Sequence, residues 1–196
     1  MARATRWAGL LAAAFVFAQP YAAEAVATAE PAVIVVHVAD YQGIPAAERA
    51  EAFRLASAVY RDIGVAVAWT DLPRDGEADG RIHVDLVILD AEMSERHRPN
   101  PATLGVASHV TKRAYVYYPR IAQHCGSSRS DRARSLAFVV AHELGHVLLP
   151  GDSHSTRGLM RGDYKGRVLT IPPFLPSQAR AIRAMVAEWR YGTGRS

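Results

Sequence analysis

His142-Glu143-Leu144-Gly145-His146 places two imidazoles four residues apart, with a carboxylate next to the first. On a helix, side chains at i and i+4 share a face with Cβ atoms about 5–6 Å apart, close enough for both rings to bind one metal ion. Glu143 falls one step round the helix. A carboxylate there can act as general base toward a water activated by the ion, which is what metal-assisted hydrolysis requires. With the eight histidines and nine glutamates of this chain, the pattern arises by chance about once in a hundred such sequences, before a helix is demanded. Two histidines and a glutamate buried without such a role would each need a polar partner, whereas Zn2+ gives all three a use.

A catalytic zinc keeps three protein ligands and an open position, so a further ligand is needed. Downstream of His146 the candidates are Asp152, His154, Asp163 and Glu188. Pro150-Gly151 ends the helix just after the motif and allows the chain to turn back beneath the ion, which favours residues 152–154. His154 is the preferred third ligand; Asp152 is the alternative, either ligating in its place or orienting it. Tyr164 is a candidate oxyanion donor, although one of eight tyrosines is more simply read as structural. Cys125 reads as a plain unpaired thiol rather than a thiolate cap on the metal. His37, His83, His97 and His109 lack ligand partners at short spacing and read as strand or surface histidines.

The elements that must position these groups are visible in the periodicity. Leu136, Val139, Val140, Leu144 and Val147 form an apolar stripe that predicts a helix over 130–149, with His142 and His146 on another of its faces. Ahead of it, Val33 to Val38 reads as a doubly buried strand, and Ala46 to Ile63 as an amphipathic helix stopped by Gly64. Val65 to Trp69 and Ile82 to Leu89 read as strands, and Gly105 to Val110 with Ala114 to Tyr118 as strands joined in a hairpin. Ser177 to Trp189 is a last helix, with Ile182, Met185, Val186 and Trp189 on one face. The expected fold is α+β: a mixed twisted sheet of about four to five strands packed on two helices, plus a C-terminal helix.

Composition bounds the remaining possibilities. The chain has 196 residues, 49% hydrophobic and 21% charged, with one cysteine, which excludes a disordered, collagen-like or disulfide-stapled protein. Its formal charge of +4 is spread without a basic stripe, so a nucleic-acid partner is not expected. Arg3 and Arg6, the apolar run Trp7 to Ala18 and Ala23-Glu24-Ala25 predict a cleaved secretory signal over residues 1–25. That leaves a single catalytic domain over 26–196, secreted or periplasmic, without stable membrane insertion and monomeric.

From His142 to Gly162 the chain resembles the metzincin zinc metalloproteases. The H-E-x-x-H helix is followed by a short loop bearing a third candidate ligand and by Gly158-Leu159-Met160-Arg161-Gly162, in which Met160 would be the methionine of the turn beneath the metal. It is also similar to a group of small exported bacterial proteins, through His142 to Leu149, Ser153-His154-Ser155 and Gly158 to Met160. It departs from the usual metzincin spacing, where a glycine three residues after the second histidine precedes a ligand three further on; Leu149 and Asp152 stand there. The resemblance implies a zincin/metzincin-like fold, Zn2+ as cofactor and a peptide or protein substrate hydrolysed with Glu143 as base. It further implies an edge strand that aligns the substrate, expected at Ala114 to Tyr118. The alternatives are a non-catalytic zinc-stabilised peptide-binding domain and a zinc hydrolase of a non-peptide substrate.

Overall fold

The computed structural model describes residues 32–74, 80–97, 100–149, 151–163 and 168–192; the export signal expected over residues 1–25 lies outside them. In chain order the elements are β1 (Ala32–Asp40), α1 (Ala46–Arg61), β2 (Val65–Thr70), β3 (Ile82–Leu89), α2 (Ala91–Arg96), β4 (Gly105–Ser108), β5 (Arg113–Tyr117), α3 (Tyr118–His124), α4 (Arg129–Leu148) and α5 (Pro176–Gly192). The fold is therefore α+β, with one mixed five-stranded sheet in the order β2-β1-β3-β5-β4. Among the described residues no helix is long and apolar enough to cross a membrane.

The β-branched run of β1 occupies the middle of the parallel part of the sheet, pairing with β2 on one side and β3 on the other. Parallel neighbours cannot be joined by a tight turn, and α1 supplies the crossover from β1 to β2. It is terminated by Gly64, whose φ of +77° is a left-handed conformation that suits glycine. Strand β5 continues the parallel set beside β3, while β4 runs antiparallel to β5 as the outer arm of a hairpin. Because side chains alternate across a strand, Ile34, Val36, Val84, Leu86, Ile88, Ala114 and Val116 share one face of the sheet. All are buried in the main core with Ala52, Phe53, Ala56, Val59 and Tyr60 of α1 and Leu136, Val140, Leu144 and Val147 of α4. Ile182 and Val186 of α5 join the same core.

Two polar ties fix α4 against its surroundings. The fully buried carboxylate of Glu48 in α1 accepts from Arg132 Nε of α4 at 3.0 Å and from the Tyr118 hydroxyl at the start of α3. Further along, the buried Tyr60 hydroxyl of α1 donates to the Ala141 carbonyl of α4 at 2.9 Å. At its start α4 is capped by Ser128, whose Oγ accepts from Asp131 N at 3.1 Å. An α4 held at both stretches against α1 presents residues 142–146 in a fixed rotation.

Three expectations need correction. The periodicity gives no sign of two short helices, α2 and α3. The first starts at an Asp90 cap, whose Oδ1 accepts from Met93 N at 2.8 Å, and the second carries a proline in its first turn; at six and seven residues neither shows a helical repeat. Tyr118 opens α3 instead of ending a strand, and β4 stops at Ser108, leaving Val110 in an exposed turn. Most importantly, the strand at Ala114 to Tyr118 is not an edge: β5 lies between β3 and β4, and the edge on that side is β4.

Candidate metal centre

His142 and His146 project from the last turns of α4, and His154 meets them from the loop that follows. The α4 helix ends at Leu148, and Gly151 adopts a φ of +69°, a left-handed conformation that reverses the chain. His146 Nε2 lies 3.0 Å from His142 Nε2 and 3.1 Å from His154 Nε2. The ligand atoms of all three residues fall within 4.8 Å of one another, as is needed to hold one metal ion. Asp152 does not join that group. Its carboxylate, 89% exposed, lies outside the cluster with Oδ1 3.7 Å from His154 Nδ1 and accepts from His154 N at 3.2 Å.

The remaining ring nitrogens are engaged in ways that aim the Nε2 atoms inward. His142 Nδ1 donates to the Leu159 carbonyl at 2.8 Å, which can only accept, so its Nε2 carries the lone pair. His146 Nδ1 lies 2.8 Å from Ser153 Oγ. Lone pairs 3 Å apart repel unless a cation or proton lies between them, and a tetrahedral ion with ligands at about 2.0–2.1 Å would separate them by about 3.3–3.4 Å. The donor set fits a divalent ion such as Zn2+. Burial reinforces the arrangement: it lowers the pKa of His142, and it pushes that of His146 down to about 4, with the two neighbouring histidines adding to the effect. Both rings are thereby neutral near pH 7, the form that ligates.

Glu143 is 5% exposed, and burial pushes its carboxyl up to about 8. It lies against β4: a Cβ on Gly105 would sit only 2.6 Å from Glu143 Cγ and Oε1. The edge strand approaches the helix this closely because residue 105 has no side chain. Met160 is fully buried under the same helix, its Sδ 2.5 Å from where a Cβ on Gly145 would lie. Gly162 backs the third histidine, with His154 Cγ 3.1 Å from its would-be Cβ. Gly145, Gly162 and Ser153 lie within the sequence motifs, which do not indicate what they pack against; Gly105 and Gln178 carry no local signal.

The cluster opens into a cleft of about 460 Å3 lined by Thr103, Leu104 and Gly105 on one side, Phe138 and Val139 along α4, and Arg161 beyond His154. Strand β4 borders it, and among the described residues no strand pairs with its outer edge. Tyr117 N donates to Leu104 O at 2.9 Å, and with the register Gly105↔Val116 and Val106↔Tyr115 residues 104 and 106 direct their backbone groups to β5. The backbone N–H and C=O of Gly105 and Ala107 therefore point away from it.

Other candidates fall elsewhere. Tyr164 lies outside the described residues. Cys125 caps α3 with Sγ 3.7 Å from Ala122 O, burial raises its pKa and so keeps the thiol protonated, and it does not belong to the three-histidine group. His37 and His83 hydrogen-bond each other across neighbouring strands at 2.8 Å, and His109 bonds the Val147 carbonyl at 2.7 Å. Compared with known proteins, the chain matches no family model and no curated sequence.

Proposed function

We propose that the chain is a zinc-dependent metalloendopeptidase of metzincin type, with His142, His146 and His154 as metal ligands and Glu143 as general base. The observation that carries this reading is that His146 Nε2 lies 3.0 and 3.1 Å from the Nε2 atoms of His142 and His154, beside a buried carboxylate and an edge strand. A structural zinc closes its shell with four ligands and has no use for a base; among the described residues three ligands gather, and Glu143 stands next to them. Met160 packed beneath the helix and an edge strand beside the cleft further support the metzincin likeness.

In this reading an extended peptide lies along β4, its backbone paired with the outward-facing groups of Gly105 and Ala107. Bound Zn2+ would supply Lewis acidity, polarising the scissile carbonyl and lowering the pKa of water. Glu143 takes a proton from the attacking water as its oxygen bonds to the carbonyl carbon. The C–N bond then breaks, and Glu143 delivers that proton to the leaving amine. The chain's own part is to hold the base dry and close: β4 on one side and α4 on the other keep bulk water from the carboxylate.

The test is Glu143→Ala assayed against a quenched-fluorescence peptide library, with zinc content measured alongside. The expected result is one equivalent of Zn2+ retained with hydrolysis lost. Full activity in this variant would sink the assignment.

A further inference from the structure

His154 differs from the other two ligands in having no helix behind it. Its side chain is 49% exposed, and an exposed side chain on a loop loses conformational freedom when a metal fixes it, which weakens binding unless the loop is ordered beforehand. The order comes from a distant part of the chain. Gln178, in the first turn of α5, donates from Nε2 to the Ser153 carbonyl at 3.2 Å and to Ser155 Oγ at 3.3 Å. It thus grips the residues on both sides of His154. The amide's orientation is fixed by its other end, because Leu175 N donates to Gln178 Oε1 at 3.0 Å and only an oxygen can accept there. Ser155 is held from the opposite side as well, its N donating to Met160 O at 2.9 Å.

Building on the three-histidine centre, we infer that Gln178 is a positioning residue of the metal site: through Ser153 and Ser155 it presets His154 for ligation and makes α5 part of the centre. One helix supplies two ligands, and the first turn of another holds the third in place. Since Ser153 also meets His146 Nδ1 through its hydroxyl, the gripped segment touches two of the three ligands. Groups of this outer kind set ligand orientation, and their loss typically weakens metal binding about 10–100-fold.

Gln178→Glu isolates the effect. Glutamate keeps an acceptor for Leu175 N, and an acid in a helix's first turn is favourable, so α5 keeps its cap. What disappears is the pair of N–H donors, and a carboxylate oxygen then faces the Ser153 carbonyl. Zn2+ affinity is measured by competition with a chromophoric chelator, the Co2+-loaded protein's visible spectrum reports ligand geometry, and denaturant unfolding of the metal-free protein reports the fold. The expected result is an affinity about 10-fold weaker, an altered Co2+ spectrum and a metal-free protein that still unfolds in one cooperative transition, its midpoint lowered only slightly. In a His154→Ala background most of the Gln178→Glu effect should vanish, because the residue it acts through is gone. Wild-type affinity and spectrum in Gln178→Glu, or an undiminished effect in the His154→Ala background, would overturn the inference. Wild-type Zn2+ affinity in His154→Ala alone would instead overturn the three-histidine reading beneath it.

Discussion

Replacing Glu143 by glutamine should make the metal-free protein more stable, by an amount that grows with pH. In the folded metal-free chain burial raises this carboxyl from 4.5 to about 8, so between those values the folded state holds a proton that the unfolded state has released. Stability then falls as pH rises through this window and levels off above it. At about 1.4 kcal/mol per pKa unit, the loss is about 3 kcal/mol at pH 7 and about 5 kcal/mol above pH 8. Glutamine has nearly the same shape against Gly105 and carries no titrating group, so it escapes the loss. Chelated wild-type and Glu143→Gln proteins would be unfolded in urea at pH 5, 7 and 8.5. The variant's advantage should be small at pH 5 and largest at pH 8.5, and it should shrink when Zn2+ is added, because a nearby dication favours the carboxylate. A difference between the two proteins that stays flat across this range would refute the reasoning.

His154→Ala should weaken Zn2+ binding by more than the about 10-fold expected from loss of an outer partner, whereas Asp152→Ala should stay within that range; competition titrations that reverse this order would move the third ligand to Asp152. Gly105→Ala places a Cβ 2.6 Å from the Glu143 side chain, which should cost about 1–3 kcal/mol of stability and lower hydrolysis while Zn2+ stays bound. Thermal melts with metal analysis decide that, and an unaltered protein would show that the strand and helix separate freely. Tyr60→Phe removes the bond to the Ala141 carbonyl and should cost about 1 kcal/mol in urea unfolding. Chelating a metal held at a thousandfold excess over its Kd should lower stability by about 4 kcal/mol, read as a fall in Tm that added Zn2+ reverses.

The parts of this architecture that rest on local periodicity are readable from the chain. The apolar stripe of α4 and the i, i+4 spacing of His142 and His146 determine which way the histidines face whatever surrounds them, and the end of the helix at Leu148 with the left-handed Gly151 makes His154 reachable. Sheet order is different. Nothing in the strand sequences distinguishes β5 as an inner strand from β4 as the edge, because Ala114 and Val116 would be equally apolar in either position. The assignment depends on β3 pairing with β5 across more than twenty intervening residues. The packing role of the glycines at 105, 145 and 162 lies in what sits 2.5–3.1 Å from their missing side chains, which no local pattern encodes. Gln178 carried no signal at all, since its role is a pair of hydrogen bonds to residues 23 and 25 positions away.

The free edge of β4 has a second consequence, for the company the protein keeps. An unpaired strand offers its N–H and C=O groups to any extended chain, including a copy of itself, and sheets with long open edges tend to stack into aggregates. Here the strand is four residues long, so only Gly105 and Ala107 present outward groups and at most four backbone bonds are on offer. That is too little to hold another edge strand permanently. Under the proposed reading it would hold a passing peptide briefly, and because neither residue has a side chain larger than methyl, discrimination between peptides would fall to the walls formed by Leu104, Phe138 and Val139. A short edge thus limits the grip that any further strand can gain on this sheet.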